Sequence, residues 1–340
     1  MKRPWLAPLV PLYAGAVAVR NLVLKVGWEP VRHLRWPVIS VGNLSTGGAG
    51  KTPFAIALAQ MLAAKGFSVD ILSRGYGRQS NQPVRVRSEG SVDEFGDEPL
   101  LITRETGARV YVAPKRYDAG LLAELEFDAA GLQHLREDQI ILAHILDDGF
   151  QHRQLARDVD ILLLNRCDWE DSLLPAGNLR EGLQAVNRAS ILAIPAEEPG
   201  FESQLRVWGW TKPIWRLHRR MEVPHIDGPV AAFCGIAQPE QFFDGLEDAG
   251  LLLAEQTTFR DHHRYTAQEV NALVAAARSV GATAMMTTEK DAVRLENLVS
   301  GFPAAHPLKT ARLHIEIEDV SAVIGWLVNR LLGRPTIPSL

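Results

Sequence analysis

Apolar residues in this chain fall into short runs separated by stretches of helical spacing. Runs at 37–42, 68–72, 108–113, 140–146, 160–164 and 191–194 are long enough for strands and too short for most helices. Between the first two, Phe54, Leu58, Met61 and Leu62 share one face of a predicted helix, which stops at Lys65-Gly66. A second helix is expected over 117–125. Residues 83–87 alternate and predict a short edge strand. Apolar strands alternating with helices imply an α/β fold of P-loop NTPase type: a mostly parallel sheet with helices on both faces.

The pattern breaks at Pro195-Ala-Glu-Glu-Pro-Gly200 and then restarts. Strands are expected at 230–233, 251–257, 283–287 and 313–317, with helices at 239–249, 266–280 and 320–332. This predicts a second, smaller α/β domain. The expected organisation is an N-terminal helix over 1–30, a phosphate-binding domain over 31–198 and the smaller domain over 199–340.

The first strand runs into Gly42-Asn-Leu-Ser-Thr-Gly-Gly-Ala-Gly-Lys-Thr-Pro53. Strand, glycine-rich loop and helix start is the order that cradles a nucleotide's phosphates. Loop N–H groups and the positive end of the helix dipole face the oxygens. Ser45, Thr46, Gly47, Gly48, Ala49 and Gly50 form the loop. Lys51 can reach the β- and γ-phosphates, the Thr52 hydroxyl can ligate Mg²⁺, and Pro53 suits a first helical turn. Ser45 stands where the generic motif has its first glycine, and Gly47, Gly48 and Gly50 supply the flexibility.

Acidic residues cluster at strand ends. Asp147-Asp148 closes the 140–146 run, where carboxylates neighbour the phosphate loop if the two strands are adjacent and can then hold Mg²⁺. A polar turn is the plain alternative. Asp93, Glu94, Asp97 and Glu98 read as a solvated face, or as a source of a base for an attacking hydroxyl. Asp261-His262-His263 could supply a histidine to such a carboxylate. Thr287-Thr-Glu289-Lys290-Asp291 is a helix cap or a base-reading loop; it lacks the guanine-reading Asn-Lys-x-Asp order, which favours adenine. His144, inside an apolar run, is expected as a satisfied core or edge residue.

Composition narrows the partners. Of 340 residues, 46% are hydrophobic and 22% charged, as in ordinary globular proteins. A net charge of -4 gives no excess of phosphate-neutralising groups and argues against nucleic acid. Two distant cysteines suit a reducing compartment and give no metal framework. Residues 4–19 carry no charge and are flanked by Lys2, Arg3, Arg20 and Lys25. Leu9, Leu12, Ala16, Val19, Val23 and Val26 share one side of a predicted helix. The residues leave two readings open, a helix on the protein's own core and one lying at a membrane interface with anionic headgroups.

Gly42-Asn43, the phosphate loop, Ser73-Arg74-Gly75-Tyr76-Gly77, Gly96-Asp97-Glu98-Pro99, Asp147-Asp-Gly-Phe-Gln-His152, Ala176-Gly-Asn-Leu-Arg180-Glu181, Asp261-His262 and Thr288-Glu-Lys-Asp291 stand in one order across nearly the whole chain. In this the chain resembles the tetraacyldisaccharide 4′-kinases, the lipid A 4′-kinases. The resemblance implies transfer of the ATP γ-phosphate to a tetraacylated glucosamine disaccharide 1-phosphate at the cytoplasmic face of the inner membrane. It implies two α/β domains around a cleft and favours the interfacial reading of the first thirty residues. By motif, Lys51 and Thr52 would serve the phosphates and Mg²⁺, and Asp147 and Asp148 the metal. Asp97 with His262 would be the base. Arg74, Tyr76, Arg116, His152, Arg180 and Glu181 would surround the substrate or the moving phosphoryl group, and Glu289, Lys290 and Asp291 the nucleotide base. No obligate protein partner is evident. The competing readings are a P-loop NTPase switch or chaperone, which needs neither the Gly-Asp-Glu-Pro nor the Asp-His motif, and a soluble small-molecule kinase.

Overall fold

The computed structural model describes residues 3–48, 50–131 and 141–333. The strands within them are β1 (Val38–Asn43), β2 (Phe67–Ser73), β3 (Val84–Arg85), β4 (Arg109–Val112), β5 (Ile141–Leu146), β6 (Val159–Leu163), β7 (Ile191–Pro195), β8 (Ile214–Glu222), β9 (Val230–Cys234), β10 (Leu253–Thr258), β11 (Ala284–Thr288) and β12 (Leu308–Ile317). They form one sheet in the order β10-β9-β11-β12-β8-β7-β6-β1-β5-β2-β4-β3. Neighbours are parallel except at the β3–β4 edge and the β8–β12 ribbon. Ile140, expected to open β5, lies outside the described residues.

β1 is fully buried because β5 and β6 flank it and helices cover both faces. The helix Lys51–Ala63 lays Phe54, Leu58 and Leu62 onto Ile39, Val41 and Ile71, all 0% exposed. Complete burial of each such side chain contributes roughly 1.5–3 kcal/mol. This helix therefore holds the phosphate loop rigidly at the end of β1.

The halves are less separate than the composition break suggests. After residue 198 the helix Pro199–Trp208 packs Phe201 and Leu205 with Leu162 and Leu192 of the first half. The final helix, Val320–Leu332, also returns there, placing Val323, Leu327 and Leu331 with Phe54 and Leu58. The ribbon between them includes β8, which the sequence pattern did not predict. Trp215 and Leu217 point into the core, but Arg219, next on that face, lines an open cleft instead.

The N-terminal segment is not a core helix. Pro4–Leu9 forms a 3₁₀ turn leading into the α-helix Val10–Lys25. Together they span 22 residues, with a mean hydropathy of 1.5 over an 18-residue window that is 0% buried. Trp5, Leu12, Val19 and Leu22 face outward. The inner side is tied by Tyr13 Oη donating to the Arg180 carbonyl at 3.0 Å and by Arg153 donating to Asn21 Oδ1 at 2.7 Å.

Candidate active site

A cleft of about 1670 Å³ opens between the halves at the C-terminal end of β1. Gly47, Gly48, Gly50, Lys51, Thr52 and Pro53 line one wall. Gly50 has φ +77° at the start of the phosphate-loop helix, a conformation that suits glycine. Ala49 lies outside the described residues. Ser45 and Thr46 sit below the loop: Ser45 Oγ is buried and accepts from Asn43 Nδ2 at 2.9 Å, and the Thr46 N–H donates to the Asn178 carbonyl. Asn43 also holds Lys51, whose Nζ donates to Asn43 Oδ1 at 3.0 Å.

β5 neighbours β1, with Ser40 opposite Leu146, so Asp147 and Asp148 emerge beside the loop. Gly42 makes this approach possible, because a Cβ there would lie 2.5 Å from Phe150 Cβ. The two aspartates differ. Asp148, at φ +49°, faces the cleft; its oxygens accept from Arg180 at 2.9 and 3.0 Å, and Lys51 Nζ lies 3.7 Å away. Burial opposes its ionisation, but Lys51 and Arg180 outweigh it and hold the carboxyl below its usual range. Asp147 is buried, with Ser73 Oγ 3.4 Å from Oδ2 and no hydrogen-bond partner for Oδ1. Burial, then the charges of Glu98 and Asp148, push it up to about 7.

Asp147 Oδ1 is a buried carboxylate oxygen without a hydrogen-bond partner, next in the chain to the cleft-lining Asp148, and such an orphan fits a divalent cation better than a closed structural contact. Among the described residues no group of three or more His, Cys, Asp or Glu could hold a metal. Mg²⁺ does not need such a group, because it takes one or two protein oxygens and completes its shell with phosphate and water.

Across the cleft, His262 Nδ1 lies 2.8 Å from Asp97 Oδ2, joining a loop of the second half to the helix Asp97–Thr106 of the first. His262 adopts φ +57°, lines the cleft, and has the Tyr76 ring 5.0 Å away. Asp97 itself is only 3% exposed. Burial alone would favour its neutral form, but the His262 hydrogen bond and the Arg294 charge hold it far below the usual carboxylate range. The bond to Asp97 raises His262 against the opposing effect of burial.

Arg74, Tyr76, Arg116, His152, Arg180, Glu289 and Lys290 also line the cleft. Arg116 donates to the Asp147 carbonyl at 3.3 Å. Burial, then the cations around it, lower His152 to about 4 and keep it neutral. Lys290 pairs with Glu98, which also lines the cleft.

Asp97 and Asp147 are buried and do not line the cleft, and two further expected site residues are turned away from it. Glu181 is buried in a two-pronged pair with Arg188 at 2.8 and 3.0 Å, so its carboxylate faces the core. Asp291 is 0% exposed and accepts from the Gly235 N–H, Tyr265 Oη, Thr288 Oγ1 and Arg294. It braces the start of its helix, whose N-cap is Thr288, and cannot read a base. Arg294 is the residue that motif reading missed; its one sequence signal is standing a helical turn beyond Asp291.

The sequence pattern of the family described as tetraacyldisaccharide-1-P 4′-kinase (LpxK) matches residues 2–331. The chain belongs to this family. A tetraacyldisaccharide 4′-kinase of Koribacter versatilis is 39% identical over 338 residues, covering 96% of this chain and 99% of the relative. One from Geobacter metallireducens is 38% identical over 322 residues, covering 87% and 89%. The crystal structure of LpxK from Aquifex aeolicus in complex with ATP is 30% identical, with a TM-score of 0.71, over 96% of this chain and 98% of that one. The α/β fold is thus shared with a solved LpxK structure, and the family match favours a kinase over a switch or chaperone.

Proposed function

We propose that this chain transfers the γ-phosphate of ATP to the 4′-hydroxyl of a tetraacylated glucosamine disaccharide 1-phosphate. The observation that carries the reading is a single cleft lined by the phosphate loop, the strand-end aspartate Asp148 and His262, reaching the foot of an exposed apolar helix.

In the proposed reaction the loop N–H groups and Lys51 bind the β- and γ-phosphates. Thr52 and Asp147 would hold Mg²⁺, with Asp148 beside them positioning Arg180 and Lys51. Bound there, the ion would neutralise charge on the β- and γ-oxygens. The Asp97–His262 pair takes the proton of the sugar hydroxyl as the oxygen–phosphorus bond forms. Arg74, Arg116 and Arg180 supply positive charge for the transferred group and the substrate's own phosphate. Tyr76 and the neutral His152 offer a ring face and a hydrogen-bonding edge to the sugars. Glu289 and Lys290 border the nucleotide's base. The halves, roughly residues 31–198 and 199–340, act as the two walls of the cleft.

The outward face of the helix Val10–Lys25 suits a lipid surface, with Lys25 toward anionic headgroups. Its inner face contacts the Arg180 and Gln151 loops, so acyl chains and sugar would enter from one side. We place the enzyme at the cytoplasmic face of the inner membrane, lying on it or anchored in it. The test is ADP formation in mixed micelles with and without the disaccharide. Strong dependence on the disaccharide is expected, lost in Lys51→Ala. Equal ATP consumption without it would favour an NTPase switch.

A further inference from the structure

The glycines of the phosphate loop are covered from the second half of the chain. A Cβ on Gly47 would lie 3.0 Å from Ala237 Cβ, one on Gly48 3.1 Å from Gln238 Oε1, and one on Gly50 3.1 Å from Arg219 Nη2. Ala237 and Gln238 stand just before the helix Pro239–Asp248, whereas Arg219 belongs to β8. Of these three neighbours only Arg219 is charged. Gly50 is the cap residue before Lys51. The guanidinium therefore lies against the turn whose N–H groups and helix end face a nucleotide's phosphates.

Packing does not account for an arginine here. β8 pairs with β12, and Arg219 stands opposite Ile315, which is buried. Trp215 and Leu217, on the same face of β8, enter the core. Arg219 instead turns into the cleft, where Nη1 donates to Gln241 Oε1 at 3.3 Å. Its tip meets the water of the cleft, yet protein crowds its other sides. Loss of water lowers Arg219 from its usual value, and the charges of Glu197, Asp168 and Glu198 only partly offset this.

Those acids have other partners. Glu197 pairs with His218 at 3.0 Å, and Glu198 accepts the Arg166 N–H at 3.0 Å. Asp168 shares a small cavity with Arg219 behind the loop, but beyond burial it is governed by Ser45 and Lys51 ahead of Arg219. The cations of the first half are engaged as well. Lys51 is held by Asn43 and lies 3.7 Å from Asp148, and Arg180 grips Asp148 at 2.9 and 3.0 Å. Arg219 thus brings to the loop a positive charge that the surrounding acids leave under-compensated.

We propose that Arg219 is a catalytic residue that reaches across the phosphate loop to the β- and γ-phosphates of ATP. This rests on the kinase reading above. As the sugar oxygen bonds to the γ-phosphorus, its proton leaves to the Asp97–His262 pair and the bond to the bridging oxygen breaks. The electron pair stays on that oxygen, so negative charge grows on the β-phosphate of the departing ADP. Arg219 meets that charge from the second half and Lys51 from the first. The planar fork of a guanidinium suits two phosphate oxygens at once.

The test is displacement of a fluorescent ATP analogue from the full chain by MgATP and by AMP, without disaccharide, beside kinetics in mixed micelles. Arg219→Gln should bind MgATP about tenfold or more weakly, the loss of one hydrogen-bonded charge. AMP, which leaves the β- and γ-positions empty, should change by less than about twofold, a few tenths of a kcal/mol. At saturating ATP, kcat should also fall about tenfold or more, since the charge grows in the transition state. Arg219→Lys keeps a charge without the fork, so it should recover much of the MgATP affinity and less of kcat. Unchanged MgATP affinity and kcat in Arg219→Gln, or equal losses for MgATP and AMP, overturn the proposal. If Arg219→Gln does not fold, the wild type decides. Modification of Arg219 by phenylglyoxal, read by peptide mass spectrometry, should be slowed by MgATP and not by AMP, and equal rates with both are the contrary result. The binding measurements need no acceptor. A wild type that binds MgATP through Arg219 yet leaves the disaccharide unphosphorylated would count against the kinase reading and not against the phosphate contact.

Discussion

Replacing Asp97 by Asn keeps the side chain's shape and removes its charge. Two losses follow, and their sizes can be separated. Arg294 loses its partner at 2.5 Å but keeps Asp291 at 2.9 Å and the Gly235 carbonyl. Breaking a buried pair outright costs about 3–5 kcal/mol, and the retained partner brings the expectation to about 2 kcal/mol. The amide also meets the Glu98 N–H or His262 Nδ1 as a second donor where the carboxylate accepted. Because Asp97 is held below its unfolded value, its contribution is complete above that value and disappears only as pH falls into strong acid. Urea unfolding at neutral pH therefore reads all of it. A domain with about 5–15 kcal/mol of stability survives a loss of that size. The catalytic loss should be larger. Without the carboxylate the imidazolium is unsupported and the Nδ1 proton unfixed, so kcat should fall about a hundredfold or more. Rates should be compared where urea curves show the variant fully folded. Near-wild-type turnover in a folded Asp97→Asn protein would refute the role given to this pair.

Three further outcomes are expected. Gly42→Ala forces a Cβ to 2.5 Å from Phe150 Cβ and 2.8 Å from the Phe150 backbone nitrogen, so calorimetry should show a loss of about 1–3 kcal/mol together with weaker ATP binding. Glu181→Gln breaks the pair with Arg188 away from the cleft; it should cost about 1–3 kcal/mol in denaturant unfolding and leave the KM for the disaccharide unchanged. His152 is held near 4 against an unfolded value of 6.5, so the unfolded chain binds its proton first as pH falls. Stability should therefore decline between those values, and His152→Asn should flatten that part of a melting-temperature profile.

Much of this organisation is legible along the chain. Central strands of a parallel sheet are apolar on both faces, so β1, β5 and β6 stand out as uninterrupted runs. The phosphate loop and the strand-end aspartates follow from local spacing. What local spacing cannot carry is choice of partner. Asp97 meets Arg294 across the junction of the halves, 197 residues along the chain. Glu181 sits in a motif beside Arg180, yet its carboxylate turns toward Arg188, and nothing in the motif distinguishes the two directions. Asp291 resembles a base-reading residue until four donors are seen around it. β8 escaped because Arg219 interrupts its apolar alternation where the strand passes from core to cleft. The N-terminal helix was ambiguous for a different reason. An apolar stripe looks the same whether protein or lipid covers it, and the fold leaves that stripe bare.

The most direct test of the central claim is to incubate the full chain with γ-labelled ATP and the tetraacylated disaccharide 1-phosphate in mixed micelles and locate the label by phosphorus NMR and mass spectrometry. The account predicts one new phosphate monoester on the 4′-oxygen, formed in step with ADP and absent with Lys51→Ala. Label appearing only as inorganic phosphate, or on another oxygen of the disaccharide, would contradict it.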